Sequence, residues 1–277
     1  MTSGMTQVWS DWPAVPPLLS HQVWVWRLCL RDWPEGPEDE SVLTGAERER
    51  AERYRREEDR HRFVLTRSWL RRLLGVYLGQ DPAGLRVEMM PKGKPFLAGF
   101  PVLFNLSHSG DWALLGFCRD RPLGLDVEAH RSLPVLSLAR RFFQASELAT
   151  LEALSSVDQE RLFFEYWTAK EAYLKATGEG LGALSRLAVD EMLLEGDRRR
   201  LWRNRGDGNG SPRFEPQPFE AQRLPFEPGY SAAIVVGPPG GELFSESWLG
   251  QNVTKFNNKS AGIRIYLGTI SAKMRPL

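Results

Sequence analysis

The chain has 277 residues, of which 42% are hydrophobic and 26% charged, a composition that suits one large globular unit or two smaller ones. Its net charge is +1, but the last 27 residues carry five basic side chains and no acid, so residues 1–250 are slightly acidic. This balance argues against nucleic-acid binding, which needs a basic surface. No apolar stretch approaches the roughly 20 residues that cross a bilayer, and no signal peptide is visible. The sequence therefore predicts a cytoplasmic protein without membrane contact.

The first part of the chain combines short strands with one long helix. Residues 1–20 are rich in Pro and Trp, which predicts an irregular segment. A helix is expected over residues 44–79, where Thr44 and Glu47 have the spacing of a capping box. The strand pattern is interrupted at residues 104–110, where we expect a turn. Alternating or β-branched residues predict strands at residues 23–28, 85–89 and 112–117.

The second part is mainly helical in its first half and extended in its second. Helical patterns occupy residues 135–143, 145–154 and 158–177, and strand patterns occupy residues 123–128, 187–189 and 231–236. A Gly-, Asn- and Pro-rich loop is expected over residues 204–218. The long helices of the two parts are both amphipathic and both precede extended structure. This weak internal repeat is compatible with a duplicated α+β unit.

The chain ends in a segment of different composition. Residues 251–277 contain Asn and Lys but no acid and lack clear periodicity, which predicts a disordered or non-native extension. We therefore divide the chain into the N-terminal segment, a first half over residues 21–122, a second half over residues 123–250 and this tail. The two cysteines, Cys29 and Cys118, lie in apolar runs and predict buried free thiols, with a disulfide or a metal site as the alternative.

Asp126 and Glu128 lie two residues apart in the strand that contains Gly124. Residues two apart project from the same face of a strand, so Leu125 and Val127 are expected to face the core. Two carboxylates on one face repel each other unless a cation lies between them, and Mg²⁺ prefers oxygen ligands. The pair thus predicts a metal site, with two solvated acids at an exposed strand end as the alternative.

The helix over residues 158–177 adds an acid and a lysine to this picture. Glu171 and Lys175 are four residues apart and share one helix face, which an ordinary stabilising ion pair also explains. Because the segment is rich in aromatic residues, we expect it to be largely buried. A buried acid and a buried lysine need partners, and a metal–phosphate centre supplies a partner for each. Lysine is otherwise scarce before residue 251, where its occurrences are Lys92, Lys94, Lys170 and Lys175.

Ser107 and His108 lie in the expected turn, where their donors can contact a phosphate; ordinary turn residues are the alternative. In chain order the motifs are Gly93-Lys94-Pro95, Phe104 to Ser109, Gly124 to Glu128 and Trp167 to Lys175. This succession resembles the 4′-phosphopantetheinyl transferase superfamily, and within it the larger, surfactin-synthetase-activating (Sfp-like) type. Both family signatures, Gly-hydrophobic-Asp-x-Glu and Trp-Ser/Thr-x-Lys-Glu-Ala/Ser-x-x-Lys, are met. The resemblance covers about residues 43–236.

The resemblance implies an enzyme that transfers the phosphopantetheine arm of coenzyme A to a serine of an acyl or peptidyl carrier protein and releases 3′,5′-ADP. It implies Mg²⁺, with Mn²⁺ as a substitute, held by Asp126, Glu128 and Glu171. Glu171 is also the implied general base, directly or through water, and Lys175 would stabilise the pyrophosphate. Lys170 would support a phosphate or form a salt bridge.

For coenzyme A, the family uses basic residues of the first helix, the Gly-Lys-Pro turn and the Ser-His pair. The implied contacts are Arg50, Arg62, Lys94, Ser107, His108 and Lys175. Residues 139–143 lie where relatives meet their carrier protein, with an amphipathic helix packed on the core as the alternative. The implied fold is a pseudo-dimer of two similar α+β halves with the active site in the cleft between them, acting as a monomer.

Two other functions compete with this one. A different Mg²⁺-dependent enzyme that hydrolyses pyrophosphate bonds would need no carrier protein and would release 3′,5′-ADP without one. A non-catalytic module that binds coenzyme A or a carrier would not need the acidic triad, whose presence counts against this alternative.

Overall fold

The computed structural model describes residues 15–20, 22–33, 36–189, 198–206, 213–238 and 264–270. Helices and strands in these ranges form the predicted α+β fold, with two main sheets and a separate two-stranded hairpin. No helix within them combines the length and hydropathy that a transmembrane helix needs. Residues 1–14 of the N-terminal segment lie outside the described part, and residues 15–20 form no helix or strand.

The first half begins with a strand and continues through helices to four more strands. Its helices are α1 (Pro37–Ser41), α2 (Gly45–Glu52) and α3 (Glu57–Leu78), followed by a 3-10 helix at Pro82–Gly84. Its strands are β1 (Gln22–Cys29), β2 (Val87–Met89), β3 (Pro95–Leu97), β4 (Leu103–Ser109) and β5 (Trp112–Cys118).

The second half repeats this order of elements. Its helices are α4 (Val135–Phe142), α5 (Ala145–Glu152) and α6 (Ser156–Thr177), followed by a 3-10 helix at Leu181–Arg186. Its strands are β6 (Leu123–Ala129), β7 (Leu187–Val189), β8 (Arg198–Asn204), β9 (Phe214–Arg223) and β10 (Tyr230–Val236). Both long helices have 22 residues and end at a glycine in the left-handed conformation, Gly79 or Gly178. The weak repeat in the sequence is therefore matched by the order of its elements.

The helix predicted over residues 44–79 is two helices. Thr44 begins α2 with the predicted capping box, because its hydroxyl accepts a hydrogen bond from the Glu47 amide at 3.2 Å and its amide donates to the Glu47 carboxylate at 3.0 Å. Residues 53–56 separate α2 from α3. α3 starts anew with three acids in its first turn, where negative charge is favoured by the helix dipole.

Two segments expected to be turn or loop contain strands. The turn predicted over residues 104–110 is wrong, because β4 extends to Ser109 and pairs with β5 along its length. The chain turns only at Gly110, whose φ is 56°. The loop predicted over residues 204–218 is wrong for Asn204, which ends β8, and for residues 214–218, which begin β9. Residues 205, 206 and 213 are irregular, and residues 207–212 lie outside the described part.

The two main sheets order their equivalent strands alike. The first has the order β11–β1–β5–β4 and the second β6–β10–β9–β8–β7. β4 and β6 are therefore edge strands, and they contact each other where the halves join. One buried hydrophobic cluster contains residues of both sheets: Val23, Val25, Leu114, Leu125, Val127 and Ile234. The halves thus share a core beneath this junction.

Part of the C-terminal tail belongs to the first sheet. β11 (Arg264–Ile270) runs parallel to β1 and forms the outer edge of that sheet. The disorder predicted for residues 251–277 is therefore wrong for these seven residues, because Ile270 is buried in the first-half core. Residues 251–263 and 271–277 lie outside the described part.

Both cysteines are free, as predicted. Cys118 is buried and Cys29 is half-buried. Burial raises the pKa of the Cys118 thiol to about 12, so this group stays protonated and packs as an apolar side chain.

Candidate active site

The acidic strand β6 and the acid–lysine helix α6 lie in direct contact because β6 has a glycine where α6 crosses it. A Cβ atom at Gly124 would lie 1.9 Å from the carbonyl oxygen of Ala172 and 2.4 Å from the amide nitrogen of Ala176. The small residues at this crossing bring the helix close to the strand. Asp126 and Glu128 follow Gly124 at the predicted period of two, while the residues between them enter the core.

Three side chains of β4 satisfy the outer edge of β6. An edge strand leaves amide groups without a backbone partner, and a buried amide needs one. Each of the three accepts a hydrogen bond from one β6 amide: Asn105 from Leu125 at 2.8 Å, Ser107 from Val127 at 3.3 Å and Ser109 from Ala129 at 3.1 Å. We call Asn105, Ser107 and Ser109 the edge stripe. The two sheets are therefore joined here through side chains.

Asp126 is the most enclosed acid of the site, with 2% of its side chain exposed. Its Oδ1 atom accepts hydrogen bonds from Lys175 Nζ at 2.6 Å and from Ser107 Oγ at 2.9 Å. Burial raises the pKa of Asp126, and the Lys175 ammonium opposes that rise. The other oxygen, Oδ2, is buried and has no hydrogen-bond partner among the described residues.

Glu128 lies one step along the same face and is more open, with 19% of its side chain exposed. Its Oε2 atom accepts hydrogen bonds from Ser109 Oγ at 3.0 Å and from Arg131 Nη1 at 2.9 Å. The edge stripe therefore orients both β6 carboxylates, since Ser107 holds Asp126 in the same way.

Glu171 faces these acids from α6. The pKa of Glu171 is raised to about 7, first by burial and then by the negative charges of Asp126 and Glu128. The Lys175 ammonium and a hydrogen bond with Trp167 act in the opposite direction. The charges of the two β6 carboxylates therefore act on Glu171.

The chemistry of this donor set fits Mg²⁺. The groups are carboxylate oxygens, Asp126 Oδ2 has no hydrogen-bond partner within the described ranges, and a cation would relieve the mutual repulsion of the acids. Within the described ranges, no three His, Cys, Asp or Glu side chains form a ready-made metal cluster. The Lys175 ammonium lies against Asp126 instead. Coordination by Asp126, Glu128 and Glu171 together stays a prediction.

Arg50, Arg62 and Arg67 form a positive region on the first half, because the charges of Arg62 and Arg67 act on His108 and that of Arg50 acts on Arg67. Arg50 and Arg67 both place their guanidinium groups over the Phe63 ring, at 5.2 and 5.6 Å from its centroid. Desolvation by the surrounding protein lowers the pKa of the His108 ring, even though the residue is partly exposed. The charges of Lys175, Arg62 and Arg67 lower this pKa further. Of the predicted contacts, Arg62, His108 and Lys175 thus lie in one electrostatic region.

Arg62 and Arg67 differ in their partners. Arg62 forms ion pairs with Asp59 at 2.6 Å and Glu58 at 3.7 Å. Burial lowers the pKa of Arg67, and its guanidinium has no hydrogen bond within the part of the chain that the structure describes. Arg67 therefore carries a guanidinium without a hydrogen bond among the described residues, and sequence reasoning did not single it out.

The structure gives Lys170 a salt-bridge role. Its side chain is fully buried, with Nζ 2.5 Å from Glu147 Oε2 and 4.3 Å from the Phe143 ring centroid. Glu147 also accepts from the Val189 amide at 2.8 Å. This pair ties α5, α6 and β7 together, and losing one member of such a buried pair costs about 3–5 kcal/mol.

Sequence reasoning missed Asn105, Ser109 and Arg131 as parts of the site as well. The signal for the edge stripe was present, because Asn105, Ser107 and Ser109 alternate at the period of a strand. Small polar residues also favour turns, and that preference concealed the strand. Arg131 lies two residues beyond the end of β6. Its spacing from Glu128 therefore gave no sign that the two side chains would be in contact.

We expect Ser109→Ala to weaken Mg²⁺ binding about tenfold, because the hydroxyl that orients Glu128 is lost and partners of metal ligands typically contribute this much. Calorimetric titration of Mg²⁺ without coenzyme A measures the effect. Ser109→Thr keeps the hydroxyl and should retain most of the affinity, and Ser137→Ala, at an exposed position of α4, should change nothing. Unchanged affinity in Ser109→Ala would show that Glu128 is not a ligand oriented by this serine.

The fold is α+β with a repeated order of elements, and carboxylates of β6 and α6 lie near one lysine ammonium. Two family models match the chain in succession: 4′-phosphopantetheinyl transferase, N-terminal, over residues 33–118, and 4′-phosphopantetheinyl transferase superfamily, over residues 122–235. The chain belongs to the 4′-phosphopantetheinyl transferase superfamily and is a transferase, which confirms the resemblance drawn from its motifs.

Curated relatives carry the same name. The chain is 40% identical over 188 residues to the 4′-phosphopantetheinyl transferase HetI of Nostoc sp. (strain PCC 7120), a match that covers 64% of this chain and 79% of that protein. It is 33% identical over 179 residues to the phosphopantetheinyl transferase of Thraustochytrium sp., covering 57% and 61%. It is 32% identical over 142 residues to the 4′-phosphopantetheinyl transferase Sfp of Bacillus subtilis, covering 51% and 62%. The match to Sfp supports the predicted Sfp-like type.

Proposed function

We propose that the protein transfers the 4′-phosphopantetheine arm of coenzyme A to a serine of an acyl or peptidyl carrier protein and releases 3′,5′-ADP. The observation that carries the proposal is the convergence of Asp126, Glu171 and Lys175 where α6 crosses β6. Family membership supplies the reaction, and this arrangement supplies groups that suit it.

The reaction needs a base for the serine and positive charge on the pyrophosphate. The serine oxygen attacks the β-phosphorus, the bond to the bridging oxygen breaks, and 3′,5′-ADP leaves with the electron pair. Glu171 accepts the hydroxyl proton, directly or through water, and burial, the largest cause of its raised pKa, makes its carboxylate a stronger base. Lys175, with 30% of its side chain exposed, can turn its ammonium from Asp126 to the pyrophosphate.

Asp126, Glu128 and Glu171 would hold Mg²⁺, with Mn²⁺ as a substitute. When bound, the ion neutralises charge on the phosphates during transfer. The residues themselves favour its binding, because burial and the charge of Glu128 both raise the pKa of Asp126, and its Oδ2 atom has no hydrogen-bond partner among the described residues.

The nucleotide end of coenzyme A would lie on the positive region of the first half. We assign its phosphates to Arg50, Arg62, Ser107 and His108, as the family resemblance implies, and add Arg67. Ser107 would reach a phosphate only by turning away the hydroxyl hydrogen that it donates to Asp126 at 2.9 Å. The combined charge of this region supports an anionic ligand, and Arg67 contributes a guanidinium without hydrogen bonds within the described residues.

We expect Arg67→Met to weaken binding of 3′,5′-ADP at least tenfold, because charge-assisted hydrogen bonds to phosphate would be lost. The Arg67→Met protein should be no less stable than the wild-type protein, because burial disfavours the charged guanidinium of Arg67 in the folded state. Calorimetric titration with 3′,5′-ADP and thermal unfolding measure both quantities. Arg53→Met is the matched control, because Arg53 is exposed and pairs only weakly with Glu49 at 3.7 Å. Unchanged affinity for 3′,5′-ADP would remove Arg67 from the site.

We infer that the halves, residues 21–122 and 123–250, form a pseudo-dimer with the active site in the cleft between them. The shared order of elements and of sheet strands supports this division. Such a chain supplies both sides of the cleft and can act as a monomer. The carrier would dock near α4, where Ala139 is buried but Arg140 and Arg141 are exposed.

Mass spectrometry of a carrier protein tests the function. An apo-carrier incubated with this protein, coenzyme A and Mg²⁺ should gain the mass of phosphopantetheine on its serine. A carrier whose acceptor serine is replaced by alanine should gain nothing. No mass gain across acyl and peptidyl carriers, with a folded and coenzyme A-binding protein, would reject the proposal.

A further inference from the structure

We propose that Lys94 is a positioning residue whose ammonium fastens the β2–β3 hairpin of the first half to the two elements that carry the acid–lysine centre. Lys94 Nζ donates a hydrogen bond to the carbonyl oxygen of Ala176, in α6, at 2.7 Å. It donates a second to the carbonyl oxygen of Leu123, in β6, at 3.3 Å. The effect of this positioning role on the reaction rate rests on the proposed transfer function, whereas its effect on local stability does not.

The α6 end of this contact has a physical reason. Carbonyl groups in the last turn of a helix lack partners within the helix, and a cation there is favoured by the helix dipole. The hairpin packs closely on this end, because a Cβ at Gly178 would lie 3.8 Å from Lys94 Cδ and 3.9 Å from Met90 Sδ. Lys94 thus caps the last turn of α6 by bonding to the carbonyl of Ala176, the residue that follows Lys175.

The β6 end of the contact extends the edge stripe. Leu123 is the first residue of β6, and the amides two, four and six residues further along donate to the three stripe side chains. Four side chains of the first half therefore satisfy successive groups along one edge of the catalytic strand. Lys94 shares this task with Asn105, Ser107 and Ser109, which indicates a scaffold role for its ammonium.

The consequence for catalysis follows from where Lys94 acts. The crossing at Gly124 holds α6 against β6, and Lys94 bonds to a carbonyl on each side of it. Without the ammonium the crossing loosens, and Glu171 and Lys175 lose their registration with Asp126. Displacements of about 1 Å in such a centre cost rate rather than ground-state affinity. The family motif instead implies that Lys94 binds coenzyme A. In that case its loss should weaken the affinity for coenzyme A rather than lower the rate.

Steady-state kinetics with varied coenzyme A separates the two roles. For Lys94→Met, which keeps the length of the side chain and removes its donors, we expect kcat to fall at least tenfold while the KM for coenzyme A and the Kd for 3′,5′-ADP stay within twofold. Lys94→Arg keeps a donor and should recover most of kcat. Lys92→Met is the control, because Lys92 lies in the same hairpin but, among the described residues, donates to the Glu179 carbonyl, which lies beyond α6. A tenfold rise in KM and Kd with unchanged kcat would overturn the proposal.

Hydrogen exchange provides a readout that needs no activity. Peptides covering residues 172–178 should exchange faster in Lys94→Met than in the wild-type protein or in Lys92→Met. Unchanged protection of these peptides would overturn the proposal even if the wild-type protein transferred nothing. Conversely, faster exchange in a protein that modifies no carrier would sustain the positioning role while the proposed function failed.

Discussion

Glu171→Gln is expected to abolish transfer and at the same time to stabilise the metal-free protein. Loss of the base and of a metal ligand should lower kcat by roughly a thousandfold or more. The gain in stability follows from the sign of the pKa shift. Because the fold raises the pKa of Glu171 from 4.5 to about 7, the unfolded chain releases this proton first, and the folded protein loses stability as the pH rises from 4.5 to about 7. Glutamine removes a penalty of at most about 3 kcal/mol.

Thermal unfolding in EDTA at pH 8 and at pH 4.5 measures this effect. The melting temperature of Glu171→Gln should exceed that of the wild-type protein at pH 8, and the difference should shrink at pH 4.5, where the carboxyl is protonated. Mg²⁺ should stabilise the wild-type protein more than the variant. Glu165→Gln on the same helix is the control, because Glu165 pairs with Arg161 at 3.1 Å and its loss should not stabilise the protein. A variant that transfers at the wild-type rate would contradict the role of Glu171.

Gly124→Ala is expected to have the largest effect on the fold. The added Cβ would lie 1.9 Å from the Ala172 carbonyl oxygen and 2.4 Å from the Ala176 amide nitrogen, and both are backbone atoms of a buried helix. The clash can be relieved only by moving α6 away from β6, which separates Glu171 and Lys175 from Asp126. We expect a loss of more than about 4 kcal/mol, measured by urea unfolding, with little soluble protein and no transfer.

Gly45→Ala is the matched control for this substitution. Gly45 lies at the start of α2, and a Cβ there would meet nothing within 4 Å. Its replacement should be neutral or stabilise the protein by less than about 1 kcal/mol. A stable and active Gly124→Ala protein would mean that α6 and β6 do not approach as closely as described.

Several residues of the candidate site could be predicted because their spacing along one strand and one helix places them on a shared face. The period of two in β6 and of four in α6 selected Asp126, Glu128, Glu171 and Lys175, and the structure brings Asp126, Glu171 and Lys175 together. Strands of apolar residues and the Thr44 capping box were also predicted correctly. These signals depend on neighbours in the chain and need no knowledge of tertiary contacts.

What the sequence concealed depends on partners distant in the chain. Asn105 and Ser109 look like turn residues until the edge of β6 lies beside them. Lys94 looks like a surface-turn residue in the sequence, which gives no sign of its hydrogen bonds to the carbonyls of Leu123 and Ala176. The break between α2 and α3 and the pairing of β11 with β1 likewise arise from packing between segments that no local pattern connects.

The most direct test of the central claim is the stoichiometry between 3′,5′-ADP release and carrier modification. With coenzyme A, Mg²⁺ and an apo-carrier, the account predicts one 3′,5′-ADP for each carrier that gains phosphopantetheine, and none when the carrier is omitted. Quenched samples analysed by chromatography for the nucleotide and by mass spectrometry for the carrier give both numbers. Release of 3′,5′-ADP without a carrier would contradict the account and identify a hydrolase of the pyrophosphate bond.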